Sequence, residues 1–150
     1  MKLGFASDHR GYKLKNSLIN YYQEKGYNII DCGTNNEDSC DYPDYAFKLG
    51  KLINNHDVDY GIAICGTGIG ISIALNKIKG IYCAKVDDVT EAIHTRNDNN
   101  TNCIAFGEKT SINDAIDMIN AFINTEYSNL EKHNRRNQKV KDIEKGKYHA

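Results

Sequence analysis

The segment AICGTGIGIS, residues 63–72, closes an apolar run with a cysteine and then alternates glycine through Gly66, Gly68 and Gly70. A loop without obstructing side chains lets backbone N–H groups point inward, and the start of a helix adds positive potential. The chemistry such a loop suits is the holding of an anion, either a phosphate or an oxyanion that develops during a reaction. A tight turn chosen for packing uses the same residues. Cys65 stands where strand gives way to loop, and a helix end there favours its thiolate. The competing reading is an inert thiol that fills space. A Walker loop is excluded, because neither Gly61 nor Gly66 is followed by Gly-Lys-Ser/Thr at the required spacing. The dinucleotide fingerprint fails at Ile71, where its third glycine belongs, and the third strand is the wrong place for it. Asp87 does lie about twenty residues on, which keeps a nucleotide-binding domain as a runner-up.

The other polar groups at expected strand ends are Ser7-Asp8-His9, Asp87-Asp88 and Gly107 to Lys109. His9 beside Asp8 reads as functional, whereas His56 and His149 read as solvated surface. Cys32, Cys83 and Cys103 lie inside apolar strands and read as packing. The five cysteines are odd in number, widely spaced and without a Cys-x-x-Cys pair. That argues against a disulfide framework and a zinc site, and no other cluster has ligand spacing, so neither metal nor cofactor is expected.

These residues need a scaffold, and 150 residues suit a single domain over 1–150. A net charge of −1 and a pI near 6.5 argue against nucleic acid or an anionic membrane as main partner. The opening MKLGFASDHRG does not read as a signal peptide, and no run reaches the ~20 apolar residues of a membrane span. A reducing cytoplasm is the expected compartment.

Strand-like runs alternate with helical stripes. Strands are expected at 2–7, 27–33, 60–65, 80–86 and 101–107. The run 60–65 is apolar almost throughout, as for a central strand buried on both faces. Helices are expected from Gly11 to Lys25, from Pro43 onward, after the glycine loop, over 89–97 with Asp87 or Asp88 as cap, and over 112–125. Their core-facing stripes are Leu14, Leu18, Ile19 and Tyr22; Ala46, Phe47, Leu49 and Ile53; Ile71, Ile73, Ala74 and Ile78; and Ile112, Ala115, Ile116, Ile119 and Ile123. Residues 129–150 are expected to form a basic C-terminal helix or tail that buries little and offers a clamp for phosphate, its own or a neighbouring subunit's. The alternation predicts an α/β protein, a Rossmann-like three-layer α/β/α arrangement with a five-stranded parallel sheet. Ligands in such folds sit beyond the carboxyl ends of the strands.

The stretches SDHRGYKLK, DYPDYA, ICGTGIGISIALNKIKGI and NTNCIAFGEK together resemble the motifs of the type B ribose-5-phosphate isomerases and the related galactose-6-phosphate isomerase subunits, in order and spacing. The resemblance weakens after about residue 124. It implies a metal-independent aldose–ketose isomerase acting through a cis-enediolate. Ribose 5-phosphate and ribulose 5-phosphate of the pentose phosphate pathway are its default substrates, and a hexose 6-phosphate is the alternative. It further implies a homodimer or tetramer whose active sites are shared between subunits. On this likeness Cys65 matches the proton-moving cysteine and Thr67 a hydroxyl that helps handle the proton. Gly66, Gly68, Ile69 and Gly70 match the anion hole, Asp8 and His9 the sugar-contacting pair, Tyr42 an active-site tyrosine and Asn99 a substrate-binding asparagine.

Three positions depart from the family pattern. Asp98 stands where a histidine usually opens the sugar ring and is expected to take that catalytic role, helped by His94 four residues earlier on the same predicted helix face. Lys109 replaces an arginine, keeping the charge without the bidentate fork. The terminal Arg-His-x-x-Arg pattern reads Lys132-His133-Asn134-Arg135-Arg136, which gives Lys132 and Arg136 as phosphate contacts, or Arg135 and Lys139 in a second register. The lost histidine leaves a non-catalytic sugar-phosphate-binding protein as a further alternative.

Overall fold

The computed structural model describes all 150 residues. Five strands alternate with helices: β1 (Lys2–Ser7), α1 (Tyr12–Glu24), β2 (Asn28–Asp31), α2 (Tyr42–Asn54), β3 (Tyr60–Cys65), α3 (Ile69–Asn76), β4 (Cys83–Lys85), α4 (Val89–Asn99), β5 (Cys103–Gly107), α5 (Ile112–Asn124) and α6 (Glu131–Glu144). All pairings are parallel, and the strand order is β2-β1-β3-β5-β4. Apolar residues at every position of β3 feed both faces: Ile62 and Ile64 join the core under α1, α4 and α5, while Ala63 and Cys65 join the core under α2 and α3. The result is the expected three-layer α/β/α sandwich. The chain leaves β1 toward one edge of the sheet and β3 toward the other, so the crevice for a ligand opens at the carboxyl ends of these two strands.

Strand β4 is shorter than the sequence suggests. Residues 80–82 are held by side chains instead of a ladder: Asn102 Nδ2 donates to the Gly80 carbonyl at 2.9 Å, and its Oδ1 accepts from Tyr82 N at 2.9 Å. Asn76 does the same for both backbone groups of Cys83. Asp88 caps α4, accepting from the Glu91 amide at 2.8 Å. Three predicted core positions face outward instead: Phe47, Ile73 and Ile112 are exposed. Their helices bury Gly50 and Ala46, Ile71 and Leu75, and Met118 and Phe122 in turn.

Helix α1 hides a feature that its hydrophobic stripe does not announce. Lys15 is fully buried, and its ammonium bonds both oxygens of Asp31 at 2.8 and 2.9 Å and Asn16 Oδ1 at 3.2 Å. Asp31 Oδ1 also accepts from Gly33 N at 2.9 Å. The pair therefore pins the end of β2 to α1. Removing one partner strands a buried charge, so Asp31→Ala is expected to lower stability by on the order of 3 kcal/mol in urea unfolding, with Lys15→Met in the same chain recovering much of the loss.

Candidate functional site

The glycines of the loop have different surroundings. Gly68 has φ +81°, and a Cβ there would lie 2.7 Å from the backbone of Phe106 in β5. Gly107 is also close-packed: a Cβ there would lie 3.0 Å from the Gly66 carbonyl oxygen, so loop and strand touch backbone to backbone. A Cβ on Gly70 would meet the ring of Tyr42 at 2.7 Å. At Gly66 a Cβ would have only the Arg10 side chain near it, at 3.7 Å; a methyl there fits the fold and intrudes on the groove above.

With the loop fixed in this way, its amides divide into two sets. The Gly68 amide donates to Cys65 Sγ at 3.2 Å, and that of Ile69 to Thr67 Oγ1 at 3.1 Å. These two are engaged within the chain, and the Ile69 side chain is exposed. The amides of Gly66, Thr67 and Gly70 make no hydrogen bond within the chain. Those three residues line a groove of about 680 Å³ together with Cys65, Asp8, His9, Arg10, Cys40 and Tyr42. The start of α3 thus offers free donors beside the one buried thiol that faces the groove.

Strand β1 delivers the opposite wall. Asp8 is buried and its Oδ1 accepts from the amides of Arg10 and Gly11 at 2.9 and 3.2 Å, which turns the chain into α1. Its Oδ2 makes no bond within the chain. His9 Nδ1 accepts from the Cys40 amide at 3.2 Å, which places the proton of the neutral ring on Nε2 as a donor. The Asp8 and His9 side chains are thereby oriented before any ligand arrives.

The other sequence-predicted residues lie elsewhere. Lys109 is exposed just past β5 and does not line the groove. Asp98 and Asn99 occupy the last turn of α4, and Lys132 and Arg136 are exposed on α6 beyond it. Helix α4 runs back from the carboxyl end of β4; the next residues reach the amino end of β3, where Asn102 O accepts from Gly61 N at 3.0 Å. Cys65 is at the other end of that strand, about 15 Å away at ~3.3 Å per residue. The predicted residues thus form two groups at opposite ends of one sheet.

The Ribose/Galactose Isomerase family profile matches residues 3–140. The chain belongs to this family. Its sequence is 41% identical over 108 residues, 72% of each chain, to ribose-5-phosphate isomerase B of Escherichia coli K12. Its structure superposes with a TM-score of 0.94 on Clostridium thermocellum ribose-5-phosphate isomerase B, at 38% identity over 97% of this chain and 99% of that one. Against the Mycoplasma genitalium ribose-5-phosphate isomerase B with bound ribulose 5-phosphate, the TM-score is 0.88 at 33% identity over 96% of each. Sugar-phosphate isomerisation is the activity of the family and of this member. No three His, Cys, Asp or Glu side chains of the isomerase are placed to hold a metal ion, and no helix is long and apolar enough to cross a membrane.

Sequence reasoning missed several residues that shape the isomerase's site. Arg10 lines the groove and pairs through Nε and Nη2 with Glu108 just past β5, which holds the Glu108 carboxyl below its usual range. Cys40 brings a second thiol to the groove. Arg96 is buried; it lies over the Tyr60 ring and bonds the carbonyls of Thr101 and Thr125, and so anchors the end of α4. Only the near-neighbour pair Glu108 and Lys109 after the fifth strand hinted at charge on that rim; long-range partners such as Arg96 with Thr125 left no local signal.

Two measurements test this geometry. Gly68→Ala must adopt a left-handed backbone and collide with β5, so it is expected to cost at least ~1–3 kcal/mol in chemical unfolding. Gly70→Ala gains helix propensity and displaces only the partly exposed Tyr42 ring, so stability should hold within about 1 kcal/mol, while turnover falls about tenfold or more through misplacement. Thiol alkylation at pH 8 mapped by mass spectrometry should modify Cys40 and Cys65 first. Cys32 should lag because burial pushes its thiol up to about 11, and Cys103 should lag because full burial raises its thiol well above the ordinary value.

Proposed function

We propose that the chain interconverts ribose 5-phosphate and ribulose 5-phosphate through a cis-enediolate. The observation that carries this reading is the juxtaposition of Cys65 with three unengaged amides, those of Gly66, Thr67 and Gly70, on one groove. Aldose–ketose isomerisation moves a proton between adjacent carbons and places negative charge on oxygen in between. Cys65 Sγ takes the proton from C2 of the open-chain aldose and returns it to C1. The free amides meet the oxyanion, where a well-placed donor contributes about 3 kcal/mol to the transition state. Thr67 Oγ1, at the loop's turn, serves proton transfer between the two oxygens. Asp8 Oδ2 and His9 Nε2 hold sugar hydroxyls, and the Tyr42 ring walls the groove. The names of the Escherichia coli and Mycoplasma genitalium relatives support the pentose reading. Asp98 in place of the ring-opening histidine favours a second one, a hexose 6-phosphate, for which the groove volume leaves room.

The working unit in this reading is a homo-oligomer of one-domain chains, with Asp98, Asn99, Lys132 and Arg136 of one copy completing the groove of another. The separation of the two residue groups along β3 supports it. Lys109 and the α6 cations grip the phosphate and hold the reacting carbon in place. Such a site needs no metal.

A panel of pentose and hexose phosphates assayed after exhaustive chelation tests the reaction. Turnover of ribose 5-phosphate above any hexose phosphate is expected; preference for a hexose phosphate selects the second reading, and loss on chelation with recovery on adding a divalent ion overturns the metal-free mechanism. Cys65→Ala should bind sugar phosphate yet lose nearly all turnover. Mixing Cys65→Ala with Arg136→Ala subunits should restore about a quarter of the sites in a random population of symmetric dimers. Verified mixed dimers without activity would show that the sites are not shared.

A further inference from the structure

Away from the Cys65 groove, the last turn of α4 holds a cluster of ionisable groups that proton transfer at Cys65 does not use. Asp98 lies between two imidazoles. His94 Nδ1, one turn earlier on α4, is 3.4 Å from Asp98 Oδ2, and His133 Nε2, from α6, is 3.4 Å from Oδ1. The backbone under this cluster is fixed: Asn137 Nδ2 donates to the Asp98 carbonyl at 2.9 Å, Ser128 N donates to the Asn97 carbonyl at 3.1 Å, and buried Arg96 bonds Asn100 and Thr101.

The placement runs against simple electrostatics. A carboxylate in the last turn faces the negative end of the helix, where a protonated histidine is favoured instead. The Asn97 amide and the two histidines offset this, and together they hold the Asp98 carboxyl below its usual range. None of the groups acting on it comes from α5, the other helix packed on α4. Asp98 therefore remains an acceptor at neutral pH and has no proton to give. The two imidazoles differ in access: the His94 side chain is 65% exposed, His133 only 13%. With Nδ1 turned to the carboxylate, Nε2 of His94 is the open end of the line. This is the arrangement in which a carboxylate sets the tautomer and direction of an acid–base histidine.

Pentose and hexose phosphates rest in water as rings, and a ring has no carbonyl for Cys65 to act beside. A second acid–base group is required, and Cys65 is committed to carbon. We propose that His94 opens the ring of the sugar phosphate bound in another copy's groove, with Asp98 as the residue that positions it and His133 bracing the far oxygen. The proposal rests on the shared-site reading above. In the step, His94 Nε2 first takes the proton of the anomeric hydroxyl, then the bond from C1 to the ring oxygen breaks, its electron pair goes to that oxygen, and the ring oxygen takes the proton from Nε2. The anomeric oxygen becomes C1=O, and His94 ends with the protons it started with. No oxidant or reductant enters. The histidine missing at position 98 is thus supplied from one turn earlier.

The test exploits a ceiling. An enzyme that cannot open rings converts ribose 5-phosphate no faster than the ring opens in solution, however much enzyme is added. The wild type should pass that rate in proportion to its concentration. His94→Ala should level off at it, and free imidazole in the medium should lift it above. Asp98→Asn should level off likewise, while Asp98→Glu passes the ceiling. His94→Ala and Asp98→Asn should still exchange the C1 proton of ribulose 5-phosphate with solvent deuterium, a step that needs Cys65 and no ring opening, which shows that they are folded. His94→Ala rates that rise past the ceiling without imidazole overturn the proposal, as does loss of deuterium exchange together with turnover. A wild type that turns over no aldose phosphate overturns the isomerase reading and this one together. Activity in the wild type with no recovery in mixed Cys65→Ala and Arg136→Ala dimers overturns the shared site beneath it.

Discussion

The contact on which the site depends is one of backbone against backbone. The loop after β3 rests on the end of β5 with nothing but glycine between them: Gly68 against Phe106, Gly107 against Gly66 and Thr67. That closeness leaves the chain in a left-handed turn at Gly68, and the turn directs one amide to Cys65 Sγ. It also starts α3 at the point where its first free donors face the crevice between β1 and β3. A side chain at either glycine would separate the two strands' ends and take thiol and amides apart together. The sulfur's position is therefore a property of the sheet, transmitted through two residues that have no side chains at all.

The second determinant is direction. In a parallel sheet every helix must run back from the carboxyl end to the amino end, so anything carried at the end of α4 is delivered to the far side of the domain. Arg96 makes that end rigid by filling the space between α4, α5 and the start of β3 with a guanidinium stacked on Tyr60 and Phe122. Helix α6, which buries no residue completely, is attached through Asn137 and the Tyr127–Asn134 bond. Polar anchoring of this kind holds a surface helix in register without giving it a core of its own.

Much of this was legible in the sequence, for identifiable reasons. The apolar run 60–65 reads as a central strand, and alternation of such runs with helical stripes argues for a parallel sheet. The glycine triplet marked the loop because glycine is informative wherever backbones approach closely. Asp98 and His94 at helical spacing announced their contact. What the sequence hid are interactions between distant residues: Lys15 buried under Asp31, Arg10 across from Glu108, His133 closing on Asp98 from α6. Phe47 and Ile73 misled for another reason. Periodicity identifies an apolar position, but a helix packed between a sheet and one neighbouring helix covers a narrower arc than its apolar residues span.

The peg formed by Asn76 at the outer edge of β4 bears on how copies of this chain can associate. An edge strand ordinarily displays unpaired donors and acceptors on which another chain can build. Here the Cys83 amide and carbonyl are both taken by the Asn76 side chain, and the strand itself is only three residues long. The sheet is blunted at that side against continuing into a neighbour, which also guards against fibril-like stacking.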